Sequence, residues 1–250
     1  MIKLKSSHEI ELMRQAGKIT AAARAFAGEM VKPGVTTQEI DKAVEKFIRK
    51  QGATPSFLHL YGFPASICIS ANDEGIHGTP GKRVLQEGDI VSIDVGACVG
   101  GFHGDCCATF ACGTIDPEAQ RLIDVTRQSF FEGIRYAKEG HRVGDISSAI
   151  QTYVESNGFS IVREYVGHGV GAAMHEDPEV PNFGRGGRGP RLLRGMTLAI
   201  EPMVNAGGAA IRQLSDGWTV KTLDGKWSAH YENTVLITDG EPEILTAPAI

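Results

Sequence analysis

The sequence lacks two features that would place it at a membrane or on nucleic acid. It contains no apolar run of about 18 residues, the length that a helix needs to cross a bilayer. Its 25 lysines and arginines stand against 30 aspartates and glutamates, so no basic field covers the surface to attract DNA. The first residues are charged and contain no apolar signal-peptide core, and we therefore expect a cytoplasmic protein.

Cysteine is also scarce, and its spacing excludes two common uses of thiols. Four of the five cysteines fall between positions 98 and 112, and no Cys-x-x-Cys pair is present. An odd count with this spacing argues against a disulfide framework and against a thiolate zinc site. We expect reduced thiols, most of them buried as small apolar side chains.

The pattern of apolar residues predicts a fold of the α+β class. Helical spacing with recognisable end signals occupies residues 6–30, 36–52, 116–138 and 144–158. Strand-like runs occupy residues 66–70, 90–110, 160–166, 196–204, 218–222 and 229–237. Helices and hairpin-like strands come in blocks without a strict strand–helix alternation, which favours this class over a parallel sheet.

Two segments of the chain resemble each other. Residues 34–52 and 140–158 overlay without a gap, so that apolar positions of one predicted helix fall on apolar positions of the other. Chance matching of two amphipathic helices explains this overlay well enough. Together with the matching acids described next, it predicts a single domain over residues 1–250 with two half-repeats, at approximately 34–115 and 140–240.

Acidic residues match between the halves in a way that chance explains poorly. With an offset longer by one residue, Asp94 in one apolar strand falls on Glu201 in another. The letters AHYE around Glu232 loosely repeat the letters FHGD around Asp105. Each half therefore contributes two acids to strands where carboxylates are normally excluded.

The segment SIDVGACVGGFHGD carries two of these acids in one predicted hairpin. If Val99 and Gly100 form the centre of the turn, Asp94 lies directly opposite Asp105, with Cβ atoms about 5 Å apart. Two carboxylates at that distance repel each other unless one is protonated or a cation lies between them. A β-bulge that changes the register and exposes one acid is the alternative.

The convergence of four carboxylates predicts a metal centre. About two divalent cations would neutralise them. His168 is flanked by Gly167 and Gly169, which let a side chain approach a crowded site closely. A histidine within reach favours transition-type metals over calcium or magnesium, although a histidine in a glycine-rich segment is more often structural.

The other histidines differ in their surroundings. His77 and His175 lie at predicted ends of strands or loops, where functional groups are often placed. His103 is expected on the same face as Asp105, in either a supporting or a purely structural role. The sequence assigns no role to His8, His59, His141 and His230.

Six motifs in the order SIDVG, FHGD, GHGVG, HEDP, IEPM and YENT resemble those of the type I methionine aminopeptidases, in the M24 metallopeptidase family. The resemblance extends from the first helix to the last strand. It implies the pita-bread fold, in which two pseudo-symmetric α/β halves and a curved antiparallel sheet enclose the metal site. This fold would account for the internal repeat.

The resemblance also implies a set of metal ligands. Asp94 would chelate one ion, Asp105 and Glu232 would bridge two ions, and His168 and Glu201 would complete the second position. Carboxylate and imidazole ligands accept Co, Mn, Fe, Zn or Ni, and the sequence does not choose among these metals.

Catalytic roles are implied in the same way. His77 and His175 would hydrogen-bond the scissile amide and stabilise the tetrahedral intermediate. Glu201 would also move a proton from the attacking water to the leaving amine. The implied substrate is a nascent polypeptide or peptide that begins with methionine followed by a small residue.

An apolar pocket is expected to select methionine. Its predicted walls are Phe57, Leu60, Phe63, Cys68, Met174 and Trp218. Leu60 and Met174 stand where the family would lead us to expect aromatic residues, and ordinary core packing is the alternative for each wall residue alone. Cys68 is predicted to be a wall residue and not a nucleophile.

The spacing of the motifs favours the short bacterial form, and we expect a monomer. Only 32 residues separate His168 from Glu201, which leaves no room for the helical insertion of type II enzymes. The alternatives are another pita-bread peptidase, such as prolidase or aminopeptidase P, and a non-catalytic peptide-binding relative. The glycine-rich basic stretch at 182–195 predicts a mobile solvated loop, and a transient contact with the ribosome is the second hypothesis for it.

Overall fold

The computed structural model describes residues 1–247 and combines four α-helices with fifteen strands. The helices are α1 Ser7–Glu29, α2 Thr37–Lys50, α3 Pro117–Ile134 and α4 Val143–Ser156, with a short 3-10 helix at Leu60–Gly62. The strands are β1 Thr54–Pro55, β2 Ile67–Ala71, β3 Glu74–Ile76, β4 Ile90–Val99, β5 Phe102–Ala111, β6 Ser160–Ile161, β7 Gly167–Gly169, β8 Glu176–Val180, β9 Thr197–Ile200, β10 Met203–Asn205, β11 Ile211–Gln213, β12 Val220–Thr222, β13 Ser228–His230, β14 Glu232–Leu236 and β15 Glu243–Ile244. No helix within residues 1–247 is long and apolar enough to cross a membrane.

The predicted helices begin where their capping residues indicate. Thr36 and Glu39 form a capping box at the start of α2, in which each side chain bonds the backbone N–H of the other residue. Asp116 accepts a hydrogen bond from the backbone N–H of Glu118 at 2.7 Å and so caps α3. The third helix ends at Ile134, a few residues before the predicted end.

One antiparallel sheet of nine strands forms the centre of the molecule. Its order is β1-β4-β5-β14-β9-β7-β8, with β2 paired to β4 and β15 paired to β14. Two three-stranded sheets, β13-β10-β6 and β11-β12-β3, lie beside it. The boundary between β5 and β14 divides the large sheet into a part from each half of the chain.

Each half also has its own hydrophobic core. One cluster packs α1 and α2 against β2 and β4, and another packs α3 and α4 against β9 and β14. The strands that the overlay of acids equates, β4 with β9 and β5 with β14, lie at equal distances from the central boundary. This order is what two half-repeats would produce, and the division of one domain into half-repeats stays a prediction.

The register of the central hairpin differs from the prediction. The turn is Gly100-Gly101 and not Val99-Gly100, so Asp94 pairs with Cys107 and Asp105 pairs with Gly96. Both turn glycines have positive φ, 57° and 83°, a backbone conformation that favours glycine in tight hairpins. The change moves each partner by two positions, which keeps both aspartates on the same face as diagonal neighbours.

Two predicted strands are interrupted, and several short strands were missed. The run at 196–204 breaks at Glu201-Pro202, because proline has no N–H to continue the ladder. The run at 229–237 breaks at Tyr231. The missed strands, β1, β3, β7, β8, β11 and β15, contain two to five residues each. Segments this short are too brief to show a clear alternation of apolar residues.

Candidate metal centre and substrate cavity

Five predicted ligands lie on five consecutive strands of the large sheet. Asp94 is on β4, Asp105 on β5, Glu232 at the start of β14, Glu201 directly after β9, and His168 on β7. All five side chains line one cavity of about 780 Å³. The order of strands therefore brings together residues that are up to 138 positions apart in the chain (232 − 94).

His168 faces the acids with one ring nitrogen and the backbone with the other. Its Nδ1 lies 2.9 Å from the carbonyl oxygen of Gly169, so Nδ1 carries the proton and donates it. Its Nε2 lies 3.6 Å from Asp105 Oδ2 and 3.5 Å from Glu201 Oε1. Burial lowers the pKa of His168 to about 4, so at neutral pH this nitrogen offers a lone pair.

The acids have little compensation from the protein itself. Asp105 and Glu232 are only 4% and 1% exposed, and one oxygen each of Asp94, Asp105 and Glu232 finds no hydrogen-bond partner within residues 1–247. Burial raises the pKa of Asp94 to about 7. Burial raises the pKa of Glu201 well above its usual range, and burial with repulsion from neighbouring carboxylates does the same for Asp105 and Glu232. Such a donor set fits divalent cations well.

Buried side chains hold these strands from behind. The guanidinium of Arg24, on α1, donates to the carbonyl oxygens of Cys107 and Glu232 at 3.2 and 3.1 Å, and to the side-chain oxygen of Asn233. The amide of Asn182 donates to the carbonyl oxygen that belongs to Glu201, at 2.9 Å. These bonds fix the backbone of the acids, which leaves their carboxylate oxygens free to face the cavity.

His77 and His175 both line the cavity. The rings of His175 and His168 lie 4.4 Å apart between centroids, and Tyr61 stacks on His175 at 5.7 Å. The ring of His77 meets Tyr165 edge-on at 5.5 Å. Burial, with repulsion from His230 and His175, lowers the pKa of His77 to about 4, and burial also lowers the pKa of His175. Both imidazoles are therefore neutral near pH 7 and can donate one hydrogen bond each.

Apolar side chains close one part of the cavity. Five of the six predicted wall residues line it: Phe57, Leu60, Phe63, Cys68 and Trp218. The sixth, Met174, is 2% exposed and packs in the same apolar cluster, behind the cavity wall and not in it. Burial and the nearby Asp94 raise the pKa of the Cys68 thiol well above its usual range, which fits a wall residue and not a nucleophile.

The sequence failed to indicate three residues of this region. Tyr61 and Tyr165 line the cavity, and His230 is 2% exposed with its Nε2 3.5 Å from Glu201 Oε2. The echo of FHGD in AHYE was the available signal for His230. His103 occupies the matching position in FHGD, but its Nδ1 forms a hydrogen bond with the hydroxyl of Ser56 at 2.9 Å. The two histidines therefore match in sequence but differ in their contacts.

The family model for metallopeptidase family M24 matches residues 11–239. The chain belongs to metallopeptidase family M24. Membership of a metallopeptidase family implies the use of divalent metal, and it accounts for the concentration of buried acids in this M24 chain.

Related proteins, one known by sequence and one by crystal structure, support the assignment to this family. A methionine aminopeptidase of Clostridium perfringens is 60% identical over 246 residues, which cover 98% of this chain and 99% of that protein. The crystal structure of methionine aminopeptidase from Thermotoga maritima is 44% identical, with a TM-score of 0.97 over 98% of this chain and 99% of that one.

The structure also resembles those of proline-specific peptidases, but at this low sequence identity the resemblance shows only a shared fold. Prolidase from Pyrococcus furiosus is 23% identical, with a TM-score of 0.81 over 99% of this M24 chain and 66% of its own. Together with the Thermotoga maritima structure, it confirms the predicted pita-bread fold.

Proposed function

We propose that this chain removes the N-terminal methionine from nascent proteins and peptides whose second residue is small, by metal-activated hydrolysis. One observation carries the proposal: a single cavity joins five metal-competent side chains, two neutral histidines and an apolar wall. The relatives named methionine aminopeptidase support the same activity. We further propose that the protein acts in the cytoplasm, where nascent chains emerge, and that it is a monomer.

Two divalent cations would be held by this cavity. We propose that Asp94 would hold one ion, that Asp105 and Glu232 would serve both, and that His168 and Glu201 would hold the second. The chemistry that such ions would supply is a bound water of lowered pKa and polarisation of the scissile carbonyl. The unpartnered oxygens of the three strand acids support this assignment, because each has a lone pair that meets no donor among residues 1–247.

The chain's own residues then move protons and hold the peptide. The carboxylate of Glu201 takes a proton from the attacking water and delivers it to the departing amine. Neutral His77 and His175 donate hydrogen bonds to the scissile amide and to the oxyanion that develops in the transition state. An imidazole with a pKa of about 4, such as His77, stays a neutral donor throughout the physiological range.

The apolar wall supports selection of methionine. Phe63 and Trp218 meet edge-to-face with ring centroids 5.1 Å apart, which forms a corner for an unbranched apolar side chain. Phe57, Leu60 and Cys68 extend this surface, and Met174 shapes it from behind. A flexible thioether side chain adapts well to such an irregular apolar space.

A two-peptide assay with metal re-addition tests the proposed function. Protein treated with a chelator should be inactive, and Co(II), Mn(II) or Fe(II) should restore cleavage of Met-Ala-Ser but not of Met-Lys-Ser. The amount of methionine released is the readout. Faster cleavage of an X-Pro peptide than of Met-Ala-Ser would contradict the proposal, as would no cleavage of either peptide.

The basic stretch at 182–195 supports a transient contact with the ribosome, which we also propose. Three arginines, Arg185, Arg188 and Arg191, are exposed there. The stretch is mostly exposed, as a solvated loop would be, and it contacts α4, where the backbone N–H of Gly144 donates to the carbonyl oxygen of Arg188 at 2.9 Å. Charge reversal of the three arginines should reduce co-sedimentation with ribosomes, and unchanged binding would remove the idea.

A further inference from the structure

A second group of metal-competent atoms lies beside His168 and its neighbours. Ligand atoms of Glu201, His230 and Glu232 all lie within 4.8 Å of one another, as do those of Asp105, His168 and Glu232. The two groups share Glu232. All three residues of the second group have side chains at most 12% exposed, so solvent does not compete strongly for them.

The spacing within this group suits an ion better than a hydrogen bond. Nε2 of His230 lies 3.5 Å from Glu201 Oε2 and 3.9 Å from Glu232 Oε2, beyond the usual range of about 2.7–3.2 Å. Two ligands held about 2.1 Å from one tetrahedral ion lie roughly 3.4 Å apart. This nitrogen is enclosed and has no hydrogen-bond partner within residues 1–247.

The local fold keeps the imidazole of His230 in place. The backbone N–H of His230 donates to the hydroxyl of Thr109 at 2.9 Å, and that hydroxyl donates to the carbonyl oxygen of His230 at 2.9 Å. Ser92 bonds the same hydroxyl at 2.8 Å. These bonds fix the backbone of His230, and the burial of its side chain, which is 3% exposed, limits rotation of the ring away from the acids.

Glu201 lies between two imidazoles. Its Oε1 faces His168 at 3.5 Å and its Oε2 faces His230 at 3.5 Å. Each carboxylate oxygen therefore has one imidazole nitrogen at the same distance. A carboxylate placed in this way can share each of its oxygens with a different imidazole around the metal centre.

We propose that Nε2 of His230 is a further protein ligand of the metal centre, next to Glu201 and Glu232. This inference rests on the proposed function, because it assigns His230 to the same centre. It adds a second imidazole to a donor set that otherwise consists of carboxylates and His168.

Counting imidazole ligands tests this proposal without relying on activity. In protein labelled with 15N-histidine and loaded with two equivalents of Co(II), ring signals of ligand histidines are shifted far outside the normal NMR range by the paramagnetic ion. Two shifted rings are expected in the natural protein. His230→Gln and His168→Gln should each retain one, and His141→Gln, at an exposed histidine, should retain both.

Metal affinity provides a second measurement on the same samples. Titration calorimetry with Mn(II) should show binding weakened about ten- to a hundredfold in His230→Gln, and unchanged in His141→Gln. The natural protein alone keeps the proposal falsifiable if His230→Gln does not fold, because one shifted ring in place of two overturns it.

The outcomes separate this proposal from the proposed function. One shifted ring in a Co(II)-loaded protein that cleaves Met-Ala-Ser overturns the role of His230 and leaves the aminopeptidase activity standing. Failure to bind Co(II) overturns both. Two shifted rings in a protein that does not cleave Met-Ala-Ser support the His230 ligand and contradict the proposed activity.

Discussion

At the scale of single residues, the cavity brings together groups whose pKa values have moved in opposite directions. Burial raises the pKa values of the strand acids, so that without a cation they tend to keep their protons. Burial lowers the pKa values of the histidines around them, which stay neutral. Both shifts are the cost of placing charge on buried side chains, and a divalent cation would offset that cost for the acids.

The first prediction concerns the metal-free protein, which should lose stability as the pH rises from about 7, the pKa of Asp94 in the folded state, to about 8. Asp105, Glu201 and Glu232 have pKa values well above their usual range in the folded state, so folded protein holds protons that unfolded protein has released. Each rise in pH then favours unfolding. His77 and His168, with folded pKa values of about 4, act in the opposite sense, but their contribution levels off once the pH is about one unit above 6.5, the usual pKa of an imidazole in the unfolded chain.

Calorimetric melting of chelator-treated protein at several pH values checks this prediction. The Tm should fall steadily across the range, and saturating Mn(II) should abolish most of the fall because bound cations keep the acids ionised. A Tm that is level or rises with pH in the metal-free protein would show that the acids are not protonated in the folded state.

Gly96 is a second residue with a measurable consequence. A Cβ at this position would lie 2.9 Å from the ends of both Met174 and Phe57, so Gly96→Ala pushes these side chains toward the cavity. We expect the KM for Met-Ala-Ser to rise several-fold and stability to fall by about 1–3 kcal/mol. Gly81→Ala is the control, because nothing lies within 4 Å of a Cβ there. Equal effects of both substitutions would contradict the argument.

At the scale of elements, helix α1 supports the acids through one buried side chain. Arg24→Gln shortens that side chain and leaves the carbonyl oxygens of Cys107 and Glu232 without their shared donor. The expected loss of stability is about 1.5–3 kcal/mol, with weaker metal binding, because the backbone that carries Glu232 loses its support.

Arg14→Gln on the same helix is the matched control for Arg24→Gln. Its ion pair with Glu243 is partly exposed on both sides, so its loss should cost less than about 1 kcal/mol. Urea unfolding and Mn(II) titration measure both effects. Arg24→Gln with unchanged metal affinity would mean that α1 supports the fold but not the site.

Helices were easier to predict from sequence than strands, for a local reason. Capping contacts such as Thr36 with Glu39 lie within one turn, so the residues that set a helix start are neighbours in the chain. The strand β7 consists of Gly167, His168 and Gly169, and it is a strand only because β8 and β9 lie on either side. Its pairing partners, and not its own residues, determine its conformation.

At the scale of the whole molecule, the proposed metal centre connects the two halves of the chain. Asp94 and Asp105 come from strands of the first half, and His168, Glu201 and Glu232 come from the second. The acids meet at the boundary between β5 and β14. Bound cations would therefore stabilise the contact between the halves as well as supply the chemistry.

Metal should raise the Tm of the natural protein, and loss of an acid from either half should reduce that rise. At a free Mn(II) concentration of about 100 times Kd, binding contributes roughly 2.7 kcal/mol. Asp94→Asn and Glu201→Gln should each remove much of the increase, while Glu118→Gln, at an exposed helix position, should keep it. An increase that survives both acid substitutions would place the stabilising ion elsewhere.

The sequence by itself determined the family and the helix starts, and it predicted the four acids and the one histidine proposed as metal ligands. Each of these depends on residue type and short spacing, which folding does not alter. Even the wrong hairpin register preserved the shared face of Asp94 and Asp105, because a shift of two positions keeps the side-chain alternation.

Only the tertiary structure decided which side chains surround those ligands. His230 and Glu201 are 29 positions apart (230 − 201), and their contact depends on how β13 pairs with β10 and on the break at Pro202. Met174 lies behind the wall because Gly96 leaves room for it there. Contacts of this kind come from packing between distant segments, and no local pattern of residues encodes them.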